Sequence, residues 1–237
     1  MTPSPIILFV YNRFNHTKKT IESLKENYLA KESELFIYSD GAKIFDDKNK
    51  TEENIKKISE VRNYVKNISG FKEIKIIERD KNWGLANSII DGVTNIINRY
   101  GNAIILEDDM ITSKYFLQYM NDGLNLYKNE QEAVSIHGYI YPVKKRLPET
   151  FFLKGADCWG WATWKRGWDI FNPDAKYLLE ELKSRKLLKE FDFNNSYGYS
   201  EMLRHQIEGK VDSWAIRWYA SAFLKNKMTL YPGISFI

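Results

Sequence analysis

Hydrophobic positions change their spacing repeatedly between Ile6 and about Gly138, and each change marks an element. Ile6-Ile7-Leu8-Phe9-Val10-Tyr11 is a continuous apolar run of the length of a buried strand. A helical stretch carrying Ile21 and Leu24 follows, with Asn15 or Thr17 as its cap. Glu34 to Ser39 reads as a second strand, ended by Asp40-Gly41. The lysine- and glutamate-rich segment Thr51 to Asn67 places Ile55, Ile58, Val61 and Val65 at helical spacing, with Gly70 as its stop. Ile74 to Glu78 is the third strand. Leu85 to Tyr100 repeats the helical period through Ile89, Val93, Ile96 and Ile97, and Gly101 ends it before Ala103-Ile104-Ile105-Leu106, the fourth strand. A helix over Lys114 to Tyr127 and a fifth strand over Ala133 to His137 complete the series.

Strands that alternate with helices in this way predict an α/β fold around a largely parallel central sheet, because each helix must cross over before the next strand begins. Ligands of such sheets sit at the carboxyl ends of the strands. After Gly138 the rhythm breaks, and six of the seven tryptophans fall between Trp159 and Trp218. The expectation is one domain over 1–237, with 1–138 binding one ligand and 139–237 forming the wall for a second. The polar loop Ala42 to Lys50 reads as mobile.

Composition narrows the classes. The 237 residues, 43% hydrophobic and 28% charged, suffice for one core without disulfides or a structural metal, and the single Cys158 excludes a disulfide framework. A net charge of +4 is too small a surplus to argue for nucleic acid, so no nucleic-acid partner is expected. The segment before Ile6 lacks a basic leader region, and no run reaches the roughly 18 apolar residues of a membrane span. The expectation is a cytoplasmic protein. Lys144-Lys145-Arg146 and Lys183 to Lys189 are charged surface that would also suit peripheral contact with the inner face of an anionic membrane.

The sharpest chemical signal is Glu107-Asp108-Asp109, directly after the fourth strand. Adjacent carboxylates repel unless a cation or hydrogen-bond donors receive them, and a hard divalent ion is the economical partner. Strand alternation would put Glu107 and Asp109 on one face and Asp108 on the other. No Gly-x-Gly-x-x-Gly or phosphate-loop lysine motif is present, which disfavours dehydrogenases and nucleoside triphosphatases, and Cys and His are too few for a zinc site.

Tyr11-Asn12-Arg13 after the first strand, Ser39-Asp40-Gly41 after the second, the Asn82-Trp83-Gly84 turn and Glu107-Asp108-Asp109 together resemble the GT-A fold glycosyltransferases. The match is to the bacterial family 2 and N-acetylglucosaminyltransferase I-like enzymes, densely to Asp109 and more loosely beyond. The resemblance implies a Rossmann-like nucleotide-diphospho-sugar transferase. It would be inverting and would use Mn²⁺ or Mg²⁺. The sugar, a hexosyl or N-acetylhexosaminyl group, would pass from a nucleotide sugar, preferably a UDP-sugar, to a glycan or lipid-linked acceptor in surface polysaccharide synthesis. In that frame Asp40 accepts from the pyrimidine imide, with Tyr11 stacking beside the base. Arg13 and Arg79 fork onto the diphosphate. Asn82 belongs to the turn that brings backbone to the donor. Glu107 and Asp108 reach ribose or sugar hydroxyls, and Asp109 holds the metal. Asp212, in Val211-Asp212-Ser213-Trp214, is the expected base, with its register uncertain by one residue and with Asp157 and Glu201 as rivals. Trp161 and Trp214 would line the acceptor pocket through their ring faces. His137 is expected to be structural, with a metal or donor-sugar contact as its other reading. Family members continue past Tyr231-Pro232-Gly233, so a chain cut short at Ile237 is expected. Two other classes stay open: a non-catalytic carbohydrate- or nucleotide-binding protein on a degenerate version of the fold, and a sugar-1-phosphate nucleotidyltransferase. The second requires a glycine-rich loop where Asn12-Arg13-Phe14-Asn15 stands.

Overall fold

The computed structural model describes residues 2–237. In chain order the elements are β1 (Ile6–Val10), α1 (Phe14–Lys25), β2 (Glu34–Ser39), α2 (Lys48–Val65), β3 (Glu73–Glu78), α3 (Leu85–Tyr100), β4 (Asn102–Glu107), α4 (Phe116–Leu126) and β5 (Ala133–His137). There follow β6 (Thr150–Lys154), β7 (Trp161–Trp164), α5 (Lys165–Trp168), α6 (Ala175–Ser184), α7 (Leu188–Phe191), α8 (Tyr199–Ile207), α9 (Trp214–Leu224) and β8 (Met228–Pro232). The first five strands fall where the apolar runs predict them. The helix over 85–100 ends at Gly101, which takes the left-handed φ of 83° and donates its N–H to the Ile97 carbonyl. The start of α1 differs from expectation: Arg13, not Asn15 or Thr17, is its N-cap and provides no side-chain cap. Thr17 is buried instead, against the sheet.

All eight strands among the described residues join one mixed sheet in the order β3-β2-β1-β4-β7-β5-β8-β6. β1 pairs in parallel with β2 and β4, and β2 with β3, so the nucleus of the sheet is the expected parallel one. The fifth strand is not next to the fourth. β7, from the second half of the chain, inserts antiparallel between β4 and β5, and β8 and β6 extend the sheet beyond. The apolar pattern missed this because β7 is only Trp161-Ala162-Thr163-Trp164, too short for a strand period to register.

Side chains alternate across β1. Ile6, Leu8 and Val10 enter a core with Ile21 and Leu24 of α1, Val61 and Val65 of α2, and Phe116 and Met120 of α4. Ile7 and Phe9 face the opposite core with Ile89, Val93 and Ile97 of α3. That second core also contains Trp161, Trp168, Trp214 and Trp218, whose rings pack with centroids 5.3–5.8 Å apart. Trp161 is 1% exposed and Trp214 2%. The expectation that these two rings stack on an acceptor sugar is therefore corrected: both are buried in the core, Trp161 against Trp168, Trp214 and Trp218, and Trp214 against Trp161, and neither has an open face. A smaller core of Leu178, Leu182, Phe191, Leu203 and Phe223 holds α6 to α9 together. Among the described residues no helix is long and apolar enough to cross a membrane.

Trp161→Ala should cost about 3–5 kcal/mol of unfolding free energy in urea titration, the range for emptying a large aromatic site in a core. A ring that served only to bind sugar would leave the midpoint unchanged.

Candidate functional site

In an open α/β sheet the crevice lies where consecutive crossovers leave in opposite directions. Here β2 lies on one side of β1 and β4 on the other. A cavity of about 350 Å³ opens at their carboxyl ends, lined by Phe9 to Arg13 at and after the end of β1, Tyr38 and Asp40 at the end of β2, Glu107 and Asp108 at the end of β4, and Gly84, Leu85 and Ser88 at the start of α3. Its size and mixed lining suit a small ligand.

Asp40 is buried, and its carboxylate accepts four hydrogen bonds. Oδ1 receives the amides of Gly41 at 2.9 Å and Trp83 at 2.8 Å; Oδ2 receives the Gly84 amide at 2.9 Å and Asn82 Nδ2 at 3.0 Å. These fill the positions a carboxylate offers. Asp40 thus holds the 82–84 turn against the end of β2, and contact with an imide N–H would compete with one of these donors. Gly84 has φ 76° and ψ 159°, a region open essentially to glycine, which lets the chain turn into α3 at the cavity wall. Asn82 also donates to the Gly41 carbonyl at 3.0 Å and stays beside the cavity. Gly41 is irreplaceable for a different reason: a Cβ there would meet the Lys81 carbonyl carbon at 2.4 Å.

Tyr11 lines the cavity with its hydroxyl tied to Asn54 Oδ1 at 2.9 Å, which anchors the ring to α2. Arg13 reaches across from β1 to β4. Its guanidinium pairs with the Asp108 carboxylate and, at 3.1 Å, with Asp109 Oδ2. The expected alternation of the three carboxylates fails because β4 ends at Glu107; residues 108–109 form a turn, and both aspartates then converge on Arg13. Asp108 is buried, with its carbonyl held by Thr20 Oγ1 at 2.9 Å. Burial raises its carboxyl, with Arg13 opposing the rise. Glu107 is pushed up to about 7 by burial first and then by Asp109 and Asp108, against the charge of Arg13.

Arg79 does not reach the cavity. It pairs with Asp91 and lies 3.9 Å from the Trp83 ring centroid, so the diphosphate role expected of it is corrected: its charge braces α3 and the 82–84 turn. Lys43, at the cavity mouth, is the cation that sequence reading missed, since its loop carries no periodicity. Asp212, just before α9, is 56% exposed, pairs with Arg217 of that helix at 3.0 Å, and lines neither this cavity nor the aromatic one described below. Glu201 pairs with Arg204 on α8.

Among the described residues no three His, Cys, Asp or Glu side chains converge to enclose a metal. The donor set fits a different kind of ion. Asp109 is 44% exposed with Arg13 as its partner, and a divalent cation that takes most of its ligands from phosphate and water needs only one or two protein carboxylates.

A second cavity, of about 180 Å³, is walled by aromatic rings from both ends of the chain's second half and contains Asp157 and Cys158. His137, fully buried at the end of β5, adjoins it. Burial lowers the His137 pKa and raises that of the Cys158 thiol.

Two outcomes follow. Asp40→Asn should lower stability by about 2–3 kcal/mol in chemical denaturation, because a buried, charge-assisted acceptor is lost from the 82–84 turn. Because burial keeps His137 neutral, the unfolded chain takes up its proton first, and the stability His137 contributes is present above its ordinary value of 6.5 and lost as pH falls below it. Denaturation between pH 8 and 5 should show that loss, and His137→Gln should flatten it.

No protein-family model matches the chain, and no similar sequence was found among curated proteins. Among solved structures the chain is similar to S. aureus TarS. It aligns with residues 1–349 of that protein at 14% identity and TM-score 0.44, over 96% of this chain and 59% of that one. A longer TarS structure gives 13% identity and TM-score 0.44, over 96% and 36%. TarS 1–349 in complex with UDP-GlcNAc gives 15% identity and TM-score 0.39, over 61% and 36%. The chain spans 59% or less of the length of these structures.

Proposed function

We propose that the protein is a GT-A type glycosyltransferase that moves a sugar from a nucleoside diphosphate sugar to a glycan or lipid-linked acceptor, with inversion. One observation carries this reading: the cavity at the switch point between β1 and β4 offers, within one wall, a tethered aromatic ring, paired carboxylates and a guanidinium. A nucleotide sugar presents a base, a ribose, a diphosphate and a sugar, and each finds a partner of matching chemistry there.

In this reading Tyr11 stacks on the base, with Asp40 and Asn82 shaping the edge that reads it. Uridine is the preferred base. Glu107 and Asp108 accept from ribose or sugar hydroxyls. Arg13 and Lys43 face the diphosphate, and Arg13 already balances the aspartate charge when no donor is bound. Asp109 would hold Mn²⁺ or Mg²⁺. Such an ion supplies positive charge to the diphosphate as it departs, the largest electrostatic demand of the transfer.

Thermal unfolding with UDP, dTDP, GDP and CMP, each in Mn²⁺ and in EDTA, tests the donor site. UDP at about a hundred times its Kd should add roughly 2.7 kcal/mol, a rise of about 5–10 °C for a chain of this length. Asp109→Ala should remove the part of the rise that needs Mn²⁺. A full rise in EDTA would assign the diphosphate to Arg13 and Lys43 and remove the metal from the reading. No rise with any nucleotide in a folded sample would overturn the donor site.

A further inference from the structure

The aromatic cavity in the second half adjoins the donor cavity through shared backbone. β7 runs antiparallel to β4 with Trp161 opposite Ile105, so the chain just before β7 leaves the sheet at the edge where Glu107 ends β4. Glu107 lines the donor cavity, and its charge acts on the thiol of Cys158, which lines the aromatic cavity, so the two cavities lie close to one another.

Within the aromatic cavity Asp157 is held from several directions. Its Oδ1 accepts the Cys158 amide at 2.8 Å, and its Oδ2 accepts the Tyr231 hydroxyl at 3.2 Å. His137 faces the same carboxylate. Its Nε2 accepts the Trp159 amide at 3.1 Å, which leaves the imidazole proton on Nδ1. That Nδ1 is buried, has no hydrogen-bond partner, and lies 3.8 Å from Asp157 Oδ2. A buried donor without a partner is costly, and here it points at a carboxylate whose side chain is 21% exposed into the cavity. Oδ1 keeps one acceptor position free.

The walls specify a ligand class. Trp159 is 44% exposed, with the Tyr141 ring 5.7 Å away. The opposite lip carries Phe193 and Tyr197, held out by three consecutive left-handed residues, Phe193, Asn194 and Asn195. Left-handed backbone is unfavourable for phenylalanine. Open indole and phenol faces above a single carboxylate suit a pyranose, which offers a face of C–H bonds and a rim of hydroxyls.

We propose that this cavity is the acceptor site, that it takes a hexopyranosyl glycan, and that Asp157 is the catalytic residue that removes the proton of the acceptor hydroxyl. The proposal rests on the donor reading above and replaces Asp212 in that role. As the acceptor oxygen bonds to the anomeric carbon of the donor, the bond from that carbon to the diphosphate oxygen breaks. Its electron pair leaves with the nucleoside diphosphate, and the acceptor proton passes to Asp157. His137 and Tyr231 are positioning residues that hold the carboxylate.

Two measurements on the full chain test this. The first is titration of the UDP-saturated protein with methyl glycosides of the common hexoses, N-acetylhexosamines and 6-deoxyhexoses and with their disaccharides, followed by tryptophan fluorescence. One or more should give a saturable change that Trp159→Phe abolishes. No saturable change with any of them would overturn the acceptor site even where UDP binds, and UDP stabilisation, read separately, reports on the donor site. The second is nucleoside diphosphate release from a panel of UDP-sugars with the glycoside that binds. Asp157→Asn should lower turnover by about 10²–10⁴-fold, the range for a lost general base, while UDP stabilisation stays within twofold in apparent Kd. Asp212→Asn should change turnover by less than about threefold. Unchanged turnover in Asp157→Asn, or a hundredfold loss in Asp212→Asn, would overturn the assignment of Asp157.

Discussion

The ladder between β4 and β7 is the constraint on which the rest of the site depends. Four residues of β7 pair antiparallel with β4 on one side, and three of them pair antiparallel with β5 on the other, and so bring the second half of the chain into a parallel sheet begun by the first. Because β7 is paired along both edges, it cannot slide without breaking hydrogen bonds to two strands at once. Its register sets Trp161 opposite Ile105, and the loop before it comes to lie beside Glu107. The Gly138 amide bonds the Gly160 carbonyl at 2.7 Å and closes the corner where β5 and β7 meet.

Around that frame, charge is arranged so that no buried carboxylate stands alone. Arg13 spans Asp108 and Asp109; Asp40 is saturated by three amides and one side-chain amide; Asp157 is held by an amide and a phenol. Arg62 performs the matching task for carbonyls. Its guanidinium donates to the carbonyls of Ser39, Asp40 and Arg79, which ties the ends of β2 and β3 together. Glu107 is the exception. Burial, and then the charges of Asp109 and Asp108, raise its carboxyl to about 7, with Arg13 opposing the rise. Such a group lines the crevice, where a ligand hydroxyl can relieve its isolation.

The tryptophans show how a residue type can mislead. Indole is both the best sugar platform and a large core-filler, and spacing does not distinguish the two. Trp161, Trp168, Trp214 and Trp218 form the core between α3, α5, α9 and the sheet, whereas Trp159, displaced by two residues onto the loop before β7, is the one left open. The difference lies in which side of a strand end each residue falls on. That strand end was invisible in a four-residue run.

The sequence by itself determined the strands of the parallel nucleus, the helices that cover it and the placing of a crevice at the strands' carboxyl ends, because apolar period and glycine stops are local properties written within a few residues. It also pointed to Tyr11, Arg13, Asp40, Asn82 and the 107–108 carboxylates, all of which line the crevice because each lies at or just past the end of a strand or in the turn that leads into α3. Only the tertiary structure decided which charges meet. Arg13 and Asp108 are 95 residues apart in the chain, His137 and Asp157 belong to different elements, and Arg79 turns to Asp91 instead of the crevice. Those pairings follow from strand order and register, and these are set by burial across the whole sheet and not by any local pattern.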